Sequence, residues 1–196
     1  MKIKRKEGFF SHNYSECWKY FIKIRWYLIF TLSIFCLLFI IGFLFPVFFR
    51  EEIFDFVKKL EEILGGKNTL ELIGYIIYNN LKASFLAVLL GVCLGIIPLV
   101  ILVVNGYLLG FVAREAVNAN GILVLWRLVP HGIFEFPAIL FSIGIGFKIG
   151  SIFFNGSVRK DLRRNLIEGF RFFIFVVIPL LIVAGIIEGI LVGNGV

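Results

Sequence analysis

The chain predicts an all-α, polytopic membrane protein, and three observations carry that expectation. Hydrophobic residues fill 60% of the 196 positions and charged residues 17%, whereas soluble domains run nearer about 45 to 50% apolar and about 25% charged. Long uncharged runs recur, each near the roughly 20 residues that cross about 30 Å of hydrocarbon as a helix. Lys and Arg gather in short blocks beside those runs, the pattern that orients membrane proteins.

Taken in order, residues 1–25 carry seven Lys or Arg against two acids and read as a basic cytoplasmic N-terminus. Residues 26–49 are 24 positions without a charge, longer than the roughly 7 to 15 apolar residues of a cleavable signal core, so they read as a retained span. Residues 50–82 mix both charges, and Ile53, Phe56, Val57, Leu60, Ile63 and Leu64 repeat at helical spacing. That spacing predicts an amphipathic interfacial segment, closed by Gly65 and Gly66. Residues 83–113 form a second uncharged run. Residues 128–147 form a third, broken only by His131 and Glu135, and 172–196 a fourth, broken only by Glu188. Between the last two lies a basic loop, 151–171. The whole of 1–196 reads as a single integral membrane domain in the cell membrane.

Charge placement then bears on the number of crossings. Residues 148–171 hold six Lys or Arg against two acids, so both basic ends belong on the cytoplasmic side. An even number of crossings must separate them, yet only three uncharged runs lie between. The expected architecture is therefore four transmembrane helices plus a fifth broken or re-entrant arm, with residues 105–150 crossing twice or folding back. Arg114, Glu115, Asn118 and Asn120 in that arm would be costly facing lipid. The alternative places 114–120 in a cytoplasmic loop and leaves four crossings.

Small residues recur every four positions in three stripes: Ala83, Ala87, Gly91 and Gly95; Ala138, Ser142, Gly146 and Gly150; Gly185, Gly189 and Gly193. Such stripes let helix backbones approach closely, within one bundle or across a homodimer. Pro98, Pro130, Pro137 and Pro179 fall in apolar runs and predict kinked or broken helices. His131 and Glu135 lie one helical turn apart beside the second stripe, and Glu188 flanks Gly185 and Gly189, so all three point inward. Ionisable groups at membrane depth are functional candidates. The plainer reading is a His131 to Glu135 hydrogen bond bracing the kink at Pro137.

The string LVPHGIFEFPAILFSIGIGFKIG at 128–150 resembles the signature of the stage II sporulation protein M family. The resemblance extends to Asn79 and Asn80, to NGYLLG at 105–110 and to AGIIEG at 184–189. With Asn80 and Asn105 added, the candidate intramembrane polar cluster is His131, Glu135, Glu188, Asn80 and Asn105. What the resemblance implies is a polytopic scaffold that holds partner proteins at the membrane, without enzymatic activity.

Other chemistry finds little support. With only His12 and His131, the chain has no paired-histidine zinc motif, and no metal or cofactor is expected. Cys17, Cys36 and Cys93 show neither a disulfide framework nor a CxxC pair. The net charge of +7 sits beside the spans, where basic residues meet anionic headgroups, so membrane lipids and unknown protein partners are expected and nucleic acid is not. The second functional reading is a transporter or channel using His131, Glu135 and Glu188 to bind a proton or cation.

Overall fold

A computed structural model describes residues 8–154 and 158–193 of the chain. Among them there is no strand, and seven helices follow in order: α1 (Phe9–Leu44), α2 (Arg50–Leu64), α3 (Thr69–Leu89), α4 (Ile96–Asn120), α5 (Val129–Gly150), α6 (Val158–Phe172) and α7 (Ile178–Gly193). Five segments are long and apolar enough to cross a membrane: α1, 69–92, α4, 132–154 and 161–193.

The extra crossing arises in a different place from the one expected. The run 83–113 is not one span: α3 ends in a short 3₁₀ turn at Leu90–Val92 and the chain reverses before α4. Leu94 and Gly95 turn the corner with φ of 56° and 75°, a left-handed backbone that glycine adopts freely and leucine only under local constraint. Residues 105–150 hold two arms, the second half of α4 and then α5; α4 starts earlier than expected and continues to Asn120, which puts Arg114 and Glu115 near its end. Four spans still separate the N-terminal segment from α6, so the even parity holds.

Three further boundaries differ from the sequence expectation. Helix α1 starts at Phe9, not near residue 26, and its 36 residues reach about 54 Å at 1.5 Å per residue. The segment 50–82 divides into the amphipathic α2 and the first half of a spanning α3. That helix starts at a capping box, in which Asn68 Oδ1 accepts from the Glu71 amide and Glu71 Oε2 from the Asn68 amide, both at 3.0 Å. The basic segment 151–171 is largely the helix α6, and 155–157 lie outside the described residues.

The prolines divide by position. Pro98 sits in the first turn of α4 and Pro130 in that of α5, where no intrahelical donor is lost. Pro137 lies inside α5. Pro179 follows a π-turn at Phe173–Val177 that joins α6 to α7, a local widening that accommodates a missing backbone donor.

Helix α5 is the most buried of the spans and touches α1, α3, α4 and α7. Two apolar clusters surround it, one around Ile145, Ile149, Phe172, Val177 and Leu181, the other around Phe35, Leu102, Ile139 and Ile143. The N-terminal third of α1 crosses α6, with ion pairs Lys23 to Glu168 and Arg171 to Glu16 and the Tyr20 ring 6.0 Å from Phe172. At the other end, the Tyr107 hydroxyl accepts from the Phe48 amide at 3.0 Å and donates to the Phe45 carbonyl at 2.9 Å, fixing the link between α1 and α2.

Candidate functional site

The small-residue stripes build the interface on which the polar site sits. Gly91 faces Gly146 and Gly95 faces Gly150, so α3 and α5 run side by side in the same direction with backbones in near contact. A Cβ on Gly91 would lie 2.5 Å from the Gly146 carbonyl oxygen. Gly185, Gly189 and Gly193 of α7 pack in turn on Ile77, Ile73 and Thr69 of α3, an antiparallel register. Ser142 is buried and its hydroxyl donates to the Ala138 carbonyl at 2.9 Å, within its own helix. All three stripes are thus occupied inside one chain.

That register brings polar groups from three helices together. Asn80 of α3 and Glu188 of α7 both lie within electrostatic reach of the Glu135 carboxyl of α5. Glu188 Oε2 is buried without a hydrogen-bond partner. Ser84, one turn beyond Asn80 on α3, is 1% exposed and its hydroxyl is likewise unpartnered. Nothing in the sequence singled out Ser84 beyond its spacing of four from Asn80. Asn105 is held elsewhere, donating to the Ile101 carbonyl at 2.8 Å on α4. The side chain of His131 lies outside the described residues.

Chemically, the site is two carboxyls and an amide enclosed by apolar helices. Enclosed carboxyls of like charge favour sharing a proton or holding a cation over carrying two free charges. Among the described residues, no group of three or more His, Cys, Asp or Glu side chains is gathered as metal ligands.

Residues 31–192 match the family described as stage II sporulation protein M. The uncharacterized protein MJ0706 of Methanocaldococcus jannaschii is 32% identical over 143 residues, covering 69% of this chain and 63% of the relative. The uncharacterized protein MJ0793 of the same organism is 31% identical over 118 residues, covering 58% of this chain and 66% of the relative. The chain therefore spans a little under two thirds of each relative's length. No solved structure matches. Neither the family description nor the relatives' names state a catalytic activity.

Proposed function

This chain belongs to the stage II sporulation protein M family, and on that basis we propose that it is a non-enzymatic scaffold of the cell membrane that organises partner proteins. One observation carries the reading: both amphipathic helices are anchored to the bundle while charged side chains on them stay exposed. Helix α6 is tied to α1 through Lys23 and Glu168 and through Arg171 and Glu16, and Arg163 and Arg164 remain exposed. Helix α2 is held by the Tyr107 hydroxyl at its leading turn and by Arg50 against Glu115 at 3.7 Å, with Lys58 and Lys59 exposed. A surface ordered before binding loses less conformational freedom when a partner docks. The glycine-packed core of α3, α5 and α7 supplies the stiffness behind it. A homodimer would have to use other faces, because the stripes are already filled.

The test is site-specific photocrosslinking in cells, with the reactive residue at the exposed Ile167 of α6, at the exposed Glu62 of α2 and at the lipid-facing Ile182 of α7. Discrete protein adducts from either amphipathic helix, lost when Arg163 and Arg164 or Lys58 and Lys59 are changed to Glu, and absent from Ile182, are expected. Adducts from neither helix would overturn the scaffold reading.

The convergence of Glu135 and Glu188 favours a second reading, a proton- or cation-coupled transporter. In sealed vesicles such a protein would show ion-coupled flux that Glu135→Gln and Glu188→Gln abolish without loss of fold. A scaffold gives no flux in any of the three proteins.

A further inference from the structure

A second concave site lies at the same end of the bundle as α6. Trp26, Tyr27 and Phe30 of α1, Leu94 of the α3–α4 turn, Phe147 of α5 and the following Ser151 and Phe154 line a cleft of about 360 Å³. Its walls are mostly aromatic, as residues at a membrane–water boundary commonly are. One polar edge is built in: the Tyr27 hydroxyl and Ser151 Oγ are hydrogen-bonded at 2.7 Å.

Two cations stand on the lining rings. The Lys148 ammonium lies 5.2 Å from the Tyr27 ring centroid and the Arg25 guanidinium 5.4 Å from that of Trp26. Neither is in an ion pair among the described residues. The acids of this end are taken by other partners: Glu16 by Lys19 and Arg171, Asp161 by Arg164, and Glu168 by Lys23. Two unmatched cations beside a hydroxyl pair, above an apolar cleft at the edge of the spans, make a site for a group that is anionic at one end and greasy at the other.

We propose that this cleft binds the phosphate-bearing headgroup of an anionic membrane lipid, with Arg25 and Lys148 facing the phosphate and the aromatic walls holding the upper acyl chain. Cationic side chains near a membrane surface each contribute about 1 kcal/mol to anionic lipid attraction, and enclosure in a fixed cleft adds selectivity that an exposed basic helix lacks.

Native mass spectrometry of the full chain in detergent, titrated with phosphatidylglycerol or with phosphatidylcholine, tests this. One tightly retained phosphatidylglycerol is expected. Arg25→Gln, at an exposed position that leaves the packing alone, should weaken it about fivefold, and Arg25→Gln with Lys148→Gln about thirtyfold. Removing the same charge from α6 by Arg163→Gln with Arg164→Gln should change it by less than about twofold. Equal retention of phosphatidylcholine, or equal loss in the α6 variant, would overturn the site. Displacement of the lipid by millimolar inorganic phosphate would assign the cleft to free phosphate and overturn the lipid assignment.

Discussion

Gly91 of α3 and Gly146 of α5 meet backbone to backbone, with the Gly146 Cα only 2.7 Å from where a Gly91 Cβ would stand. No side chain fits there without moving a helix. Since α5 is the element every other span packs on, the contact sets the spacing of the whole α3, α5 and α7 core. Gly91→Leu or Gly146→Leu should destabilise by about 1 to 3 kcal/mol or more, the usual cost of overpacking. Gly74 on α3 has open space around it, so Gly74→Ala should be neutral or stabilising by up to about 1 kcal/mol through helix propensity. Thermal unfolding of the detergent-solubilised variants checks the contrast; equal melting of Gly91→Leu and the parent would refute the packing argument.

Asn80 of α3 and Glu135 of α5 face each other across the helix interface in an apolar setting. Asn80→Ala removes the amide that faces this carboxyl and should cost about 1 kcal/mol. Glu135→Gln keeps size and an acceptor oxygen and should cost less. A reversed order in chemical or thermal unfolding would mean that the amide is not satisfying the carboxyl.

Tyr107 ties the α1–α2 link through one hydroxyl that both accepts and donates. Tyr107→Phe keeps the ring packing against Phe48 and Phe111 and removes only those bonds. Stability should fall by about 1 kcal/mol, with faster amide exchange confined to residues 45–64. Exchange unchanged in that segment would show that α2 is held by apolar contacts alone.

The crossing pattern is testable with a native reporter. Cys93 lies exposed at the α3–α4 turn, on the same side as the N-terminus in a five-span arrangement. In a background with Cys17 and Cys36 replaced by Ala, an impermeant thiol reagent should label Cys93 from the side opposite to a single Cys placed at Asn118. Labelling of both from one side would mean that α4 does not cross and would leave four crossings.

Apolar length and the helical, membrane-spanning character were legible in the sequence, because each depends on local composition or on helical spacing along one element. The small-residue stripes were legible as contact surfaces too. Their partners were not, and the tertiary structure decided that they fill one another inside a single chain. The reversal at Leu94 and Gly95 stayed hidden in an uncharged run: hydrophobicity marks what tolerates lipid, and a tight turn of apolar residues gives the same signal as a helix passing straight through. The first half of α3 misled for the opposite reason, since Asn79, Asn80 and Lys82 read as interfacial until the neighbouring helix brings the Glu135 carboxyl toward the Asn80 amide. The meeting of Asn80, Glu135 and Glu188 was likewise a tertiary matter, because side chains 55 and 53 positions apart are brought together only by the register that the glycine contacts impose.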